Sequence, residues 1–116
     1  MEDTLFVYGT LMPNCPNAYM LENIIGKFTP ATVRGYLKDA GWSASMGYPG
    51  IHLDKQGDLI HGYLFTSSNL INHWDNLDSF EGDEFLRTEV EVKKYDEFET
   101  DTFIYVLKIT NDEIMY

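Results

Sequence analysis

The sequence predicts an α+β fold built mainly from strands, and two observations carry this prediction. Five or six segments are rich in β-branched and aromatic residues or alternate apolar with polar positions, which is typical of strands. Only two segments repeat apolar residues at helical spacing. Because strands and helices do not alternate regularly, a doubly wound parallel sheet is disfavoured. Glycines interrupt several strands, so we expect a curved sheet or a small barrel with flanking helices.

The first part of the chain should contain a strand, a helix and a second strand. Residues Thr4 to Tyr8 are predicted to form the first strand. Apolar spacing from residue 17 predicts a helix that ends at Gly26, with a buried face of Ala18, Leu21, Ile24 and Ile25. The second strand is predicted over 28–37. Residues 39–49 show little periodicity, so we expect a long loop there.

The middle of the chain should contain two more strands and a second helix. A short strand is predicted over 51–53 and a longer one over 59–65, with a turn between them at 55–58. Ser67 or Ser68 is a suitable N-cap for the helix that follows. The apolar face of this helix should be Leu70, Ile71, Trp74 and Leu77.

The last two strands should form a hairpin. Residues 87–95 alternate between the two sides of the strand. One side carries Thr88, Val90 and Val92, and the other carries Glu89, Glu91 and Lys93. Residues 102–109 alternate in the same way, and six residues separate the two segments.

Length and composition set limits on organisation and partners. The 116 residues predict one domain over 1–116, and 44% hydrophobic residues suffice for a core. No apolar run approaches the roughly 20 residues that cross a bilayer, and no signal-peptide pattern is evident, so we expect a cytoplasmic protein. The net charge of −11 argues against nucleic acid and anionic membranes as partners.

Metal and disulfide chemistry find little support in the sequence. Cys15 is the one cysteine, so no internal disulfide forms. No two histidines have the spacing of a zinc site, and no cofactor motif occurs, so we expect neither a metal nor a cofactor. The acidic segment 78–84 fails as a calcium loop, because with Gly82 at position 6 the ligand positions would include Leu77 and Ser79. Most of these carboxylates are interpreted as a solvated helix end.

Glu81 is the exception in this acidic segment. It lies between Phe80 and Gly82, where the second helix should end. If Phe80 and Phe85 desolvate the carboxylate, its pKa rises toward neutrality and it can act as a general base. A solvated surface carboxylate is the alternative.

The turn at Gly9 and Thr10 offers complementary chemistry. Glycine allows the backbone to approach a ligand closely. Successive N–H groups in such a turn can bind a carboxylate or a developing oxyanion. Read alone, the segment is better explained as an ordinary turn after a strand.

Taken together, the motifs resemble the γ-glutamylcyclotransferase-like superfamily, which includes γ-glutamylamine cyclotransferases and the plant avirulence-induced gene family. Short segments match the family in order along nearly the whole chain: Phe6 to Leu11, Gly35 to Leu37, Gly47 to Gly50, Gly62 to Phe65, Leu77 to Gly82, and Phe103 to Val106. The resemblance implies a small mixed, mainly antiparallel β-barrel with flanking helices. It also implies cyclisation of a γ-glutamyl compound to 5-oxoproline, without a cofactor.

The resemblance further implies the site residues. Glu81 is the expected catalytic acid and base, and the substrate's own α-amine is the nucleophile. Substrate contacts are expected from Tyr8, Gly9, Thr10, Leu11, Tyr48, Pro49, Phe85 and Tyr105. Phe85 departs from the family, which usually has a tyrosine there, and so lacks a hydroxyl.

Two other functions remain open at this point. A binding module for a carboxylate-bearing metabolite would keep the pocket without turnover, and Phe85 motivates this alternative. The second alternative is a protein–protein interaction domain that uses its acidic surface. For the enzyme we expect a small γ-glutamyl substrate as partner and a monomer or homodimer.

Overall fold

The computed structural model describes residues 3–38, 50–94 and 99–108. Six strands and two α-helices occur in these ranges: β1 (Asp3–Val7), α1 (Tyr19–Glu22), β2 (Lys27–Lys38), β3 (Gly50–Leu53), β4 (Asp58–Ser67), α2 (Trp74–Glu81), β5 (Phe85–Lys94) and β6 (Glu99–Leu107). A single 3₁₀ turn, Leu70–Asn72, precedes α2. The predicted loop at 39–49, with Tyr48 and Pro49, lies outside the described residues.

Five of the strands close into a mixed barrel. The strands are ordered β3-β2-β4-β1-β6-β5, and β5 returns to pair with β2. The closing pairs are Ala31 with Lys94 and Thr32 with Lys93. The β1–β6 pair is parallel, whereas the other pairs are antiparallel. β3 extends the sheet beside β2, so the predicted mixed, mainly antiparallel barrel is confirmed.

Two hydrophobic cores use opposite faces of the same strands. Alternation along β1 directs Phe6 into the barrel and Leu5 and Val7 to its outer face. The barrel interior is filled by Phe6, Ala31, Val33, Ile51, Ile60, Leu64, Val92 and Ile104. Outside the barrel, α1 and α2 cover the second core, to which they contribute Leu21 and Leu77.

The first helix is shorter than its apolar spacing predicts. α1 contains only four residues and ends with Asn23 as its C-cap. Ile25 has a positive φ of 67° and is 82% exposed, so its assignment to the buried face is wrong. The Ser67 hydroxyl donates to the Ile25 carbonyl at 2.7 Å and fixes this turn into β2. Gly26 is needed for close packing, since a Cβ there would lie 2.5 Å from the Thr66 carbonyl oxygen.

The second predicted helix divides into a 3₁₀ turn and α2. His73 separates the two, with a φ of −122° that is not helical. Leu70 and Leu77 are buried as predicted, but Ile71 is 66% exposed, because the break changes the direction of the turn that carries it. Ser67 accepts the Asn69 N–H at 3.1 Å and therefore caps the local turn rather than α2.

The C-terminal hairpin is confirmed and is longer than predicted. β5 ends at Lys94 and β6 begins at Glu99, so four positions separate the strands instead of six. Val92 and Val90 share the barrel-facing side, as the alternation predicts. Among the described residues, no helix is long and apolar enough to cross a membrane.

Candidate active site

Glu81 is the last residue of α2, and the backbone at Gly82 determines where the helix stops. The Gly82 N–H donates to the Asp78 carbonyl at 3.0 Å and closes the final turn. Gly82 then adopts a φ of 80°, which L-residues with a Cβ rarely adopt. The Glu-Gly sequence thus ends the helix and leaves the carboxyl group on its last turn.

Glu81 is half-buried, and its environment favours the neutral carboxyl. Burial raises the pKa of Glu81 from 4.5 to about 7, because desolvation penalises the carboxylate. This raised pKa agrees with the expectation from the sequence that the Glu81 carboxylate is desolvated. At neutral pH such a carboxyl divides between its acid and base forms, as a group that both accepts and returns a proton must.

The Tyr8 side chain joins three elements beside Glu81. Its hydroxyl donates to the Tyr105 carbonyl at 2.7 Å and accepts the Ile51 N–H at 3.1 Å. Burial raises the pKa of Tyr8, and the negative charge of Glu81 raises it further. The Tyr8 hydroxyl is therefore within electrostatic reach of the Glu81 carboxyl.

The turn after β1 presents N–H groups and open space. The Met12 N–H donates to the Gly9 carbonyl at 3.1 Å, and the Asn17 N–H donates to the Thr10 carbonyl at 2.9 Å. Within the described residues, the N–H groups of Gly9, Thr10 and Leu11 donate no backbone hydrogen bond. A Cβ built on Gly9 would meet nothing within 4 Å. The described part of the chain therefore leaves room for a ligand to approach the backbone at Gly9.

The remaining predicted site residues have different locations. The Leu11 side chain is buried in the outer core, so Leu11 can offer a ligand only its backbone. Phe85 begins β5 and is 7% exposed in the same core. Tyr105 is buried on β6, and its hydroxyl donates to Asp78 Oδ1 at 2.6 Å. Tyr48 and Pro49 lie outside the described residues.

Asp78, one turn before Glu81 on α2, has polar contacts that the sequence interpretation did not predict. It receives the Tyr105 hydroxyl and lies 3.6 Å from Arg87 Nε. The Asp78 side chain is 42% exposed, so it is partly solvated as well as bonded, and Asp83 and Glu84 are exposed as expected. The signal was the spacing of Trp74, Asp78 and Glu81 at i, i+4 and i+7, which places them on one side of a helix.

The chain is similar to known proteins both in sequence and in fold. The family model described as gamma-glutamyl cyclotransferase, AIG2-like, matches residues 5–115. The chain therefore belongs to this family, and the resemblance stated from the motifs is confirmed. No curated protein matches the chain.

Several solved structures share the fold. YkqA from Bacillus subtilis is 25% identical with a TM-score of 0.70, and the match covers 95% of this chain and 37% of YkqA. The Arabidopsis thaliana protein At3g28950.1 is 23% identical with a TM-score of 0.69, over 92% of this chain and 62% of that protein. An AIG2-like protein from Mus musculus has a TM-score of 0.71 at 18% identity, over 97% and 82% of the two chains. This chain thus spans less than two thirds of each of the first two proteins, 37% and 62%.

Proposed function

We propose that this chain cyclises a small γ-glutamyl compound to 5-oxoproline and releases the attached amine, amino acid or peptide. The substrate's α-amine attacks its own γ-carbonyl carbon and forms the ring C–N bond. The bond from that carbon to the leaving nitrogen then breaks. One proton leaves the attacking amine and one joins the leaving amine, so the reaction needs no water, oxidant or cofactor.

The observation that carries this proposal is the Glu81 carboxyl, with its pKa raised to about 7 by burial and within electrostatic reach of the Tyr8 hydroxyl. As a carboxylate, Glu81 accepts the proton of the attacking amine. As a carboxylic acid, it donates that proton to the leaving nitrogen. A single group can do both in turn, because its pKa lies near the working pH.

The N–H groups of Gly9, Thr10 and Leu11 supply the complementary charge stabilisation. The γ-carbonyl oxygen becomes negative as the ring closes, and backbone donors that are already in place stabilise it without reorganisation. The glycine leaves room for the substrate against the backbone. Since the nucleophile belongs to the substrate, the enzyme needs to hold an extended molecule in a ring-closing shape.

A panel assay tests the proposal directly. Purified protein is incubated with γ-glutamyl amines, amino acids and peptides, and 5-oxoproline and free amine are quantified together. We expect equal amounts of both products from at least one compound and strong loss in Glu81→Gln. Glu84→Gln removes an exposed carboxylate three residues away and should retain activity. Undiminished release by Glu81→Gln would remove Glu81 as the acid and base.

A binding module is the second candidate, and Phe85 favours it. The chain has no hydroxyl where the family usually has a tyrosine, and the ring is buried in the outer core. If the missing hydroxyl is needed for turnover, the pocket still binds a carboxylate-bearing metabolite. Thermal stabilisation by 5-oxoproline or glutamate, with no product from any panel compound, would favour this alternative.

A further inference from the structure

A groove of about 700 Å³ lies on the outer face of the barrel, where β5 closes against β2. Alternation along β2 directs Ala31 and Val33 into the barrel, so Thr32 and Arg34 face outward and line the groove. Glu81 is not among the described residues that line it. The groove is therefore distinct from the candidate active site.

Positive charge is concentrated in this groove, although the chain as a whole is acidic. Arg34, Lys93 and Lys94 are three of the eight Lys and Arg residues, and His61 lines the groove with them. None of the 19 Asp and Glu residues is among the described residues that line it. The neighbouring groove shares Arg34 and Lys93 but is also lined by five carboxylates. Because a cleft lined by one sign of charge attracts the opposite sign, the ligand should be an anion.

The strand register brings these polar side chains together from three strands. Thr32 on β2 lies opposite His61 on β4 and opposite Lys93 on β5. Lys94 follows on β5 and lies opposite Ala31. Neighbouring strands are about 4.8 Å apart, so the His61 and Lys93 backbones are roughly 10 Å apart across β2. Side chains of this length can reach one anion between them.

The side chains of His61, Lys93 and Lys94 are available to a ligand. His61 and Lys93 are exposed, and Lys94 is half-buried. Glu99 lies opposite Lys93 in the hairpin ladder. Within the described ranges, however, no ion pair or hydrogen bond engages any of the three side chains. Their donors are therefore left for a bound group.

The donor set favours a phosphate over a carboxylate. Ammonium groups act as point charges, so they can approach a tetrahedral phosphate from different directions. The planar fork that suits a carboxylate belongs to Arg34, and its Nη1 already donates to the Gly57 carbonyl at 3.1 Å.

Beside the polar row, the groove is apolar and aromatic. Pro30 lies opposite Tyr63, two residues along the strands from the pair of Thr32 and His61. Two residues of a strand span about 6.7 Å. The Tyr63 ring packs edge to face against Phe28, with centroids 6.3 Å apart and an angle of 89°. A flat organic group about 7 Å from the phosphate would contact this part of the groove.

We propose that the groove binds a phosphorylated small molecule, with its phosphate held by His61, Lys93 and Lys94 and its organic part along Pro30 and Tyr63. A volume of about 700 Å³ lies within the usual range for small-molecule sites. The proposal does not rest on the proposed function, because the groove and Glu81 are separate.

The test uses adenosine 5′-monophosphate as the probe, with calorimetry and amide NMR shifts of the full chain. We expect saturable binding that is about tenfold weaker for adenosine, which lacks the charged group. Inorganic phosphate, which lacks the organic part, should also bind more weakly. The largest amide shifts should lie at Thr32, His61 and Lys93.

Each alternative result would overturn a stated part of the proposal. If neither phosphate compound binds, or if the shifts are confined to the Gly9–Thr10 turn, the groove is not a phosphate site. Equal affinity for adenosine would remove the role of the cations. Citrate tests the choice of anion, since citrate binding as tightly in the groove would show that a phosphate is not preferred.

Two substitutions assign the donors. Lys93→Gln should weaken adenosine 5′-monophosphate binding about 3- to 10-fold, as the loss of one charged contact from an exposed side chain. His61→Gln should weaken it in the same direction. Both side chains are exposed, so the variants should fold, and circular dichroism verifies this.

Lys38→Gln is the matched control. It removes an exposed lysine from β2 that does not line the groove, so the affinity should stay unchanged. Equal losses in Lys93→Gln and Lys38→Gln would show attraction to net charge alone. Unchanged binding in Lys93→Gln would overturn the assignment of this groove.

Discussion

The acidic segment around the end of α2 contains two pairs of carboxylates with opposite environments. Asp78 and Glu81 lie on the helix, half-buried and within electrostatic reach of Tyr105. Asp83 and Glu84 follow the helix and are exposed. Gly82 lies at the boundary, where its φ of 80° ends the helix. Position on the packed helix face, rather than charge density along the sequence, thus distinguishes a candidate catalytic carboxyl from a solvated one.

The largest expected difference between the two pairs is in turnover. Glu81→Gln keeps the shape of the side chain but cannot exchange a proton, so 5-oxoproline formation should fall by roughly 10²–10⁴-fold. Glu84→Gln should change the rate less than about twofold, because the side chain is exposed. Initial rates at pH 8 for the two variants measure this directly. Similar losses of rate in the two variants would show that Glu81 has no catalytic role that Glu84 lacks.

The two pairs should also differ in how they affect stability at different pH. The pKa of Glu81 is about 7 in the folded chain and near 4.5 when unfolded, so stability decreases as pH rises between these values. Glu81→Gln should therefore be more stable than wild type by about 1–3 kcal/mol at pH 8. The gain should shrink toward pH 5, as followed by urea unfolding. Glu84→Gln should show no such pH-dependent gain.

The Tyr8 hydroxyl, which is within electrostatic reach of Glu81, joins β6 to β3. Tyr8→Phe leaves the Tyr105 carbonyl and the Ile51 N–H without this partner, which should cost about 1–3 kcal/mol. Chemical denaturation measures the loss. Tyr36→Phe is the control, because that side chain is 43% exposed and its hydroxyl contact is 3.5 Å. Equal stability of Tyr8→Phe and wild type would contradict the role given to this hydroxyl.

The smallest effect is expected at the boundary residue. Gly82→Ala must place a Cβ on a residue with a φ of 80°, so it should lose about 1 kcal/mol of stability. Gly9→Ala also has open space around its Cβ but no positive φ, so its stability should be nearly unchanged. If Gly9 lies against the substrate, Gly9→Ala should instead raise KM. Thermal unfolding and steady-state kinetics separate the two variants.

The strands of the barrel were predictable because period-two alternation reports burial directly. Val90 and Val92 on β5 are an example, since both face the barrel interior. The helices were less predictable, because apolar spacing cannot show where a turn interrupts the backbone. Ile25 and Ile71 fit the helical spacing but are exposed, one through a positive φ and the other through the break at His73.

The candidate site was predictable only in part for a related reason. Glu81 and the turn after β1 were found through short motifs. The position of Glu81 could also be predicted, because it lies where the helix should end. Asp78 was missed because its partners, Tyr105 and Arg87, come from the hairpin and not from the local sequence. The pairing of Arg87 with Tyr105 requires the strand register, which no single segment specifies.

Half-buried Glu81 is proposed as the acid and base of γ-glutamyl cyclisation. The most direct test measures the pH dependence of kcat/KM for 5-oxoproline formation beside the NMR titration of Glu81 in the free protein. If Glu81 is the base, kcat/KM should rise with a midpoint near pH 7 that coincides with the Glu81 titration. A rate midpoint near 4.5, or one unrelated to the titration of Glu81, would contradict it.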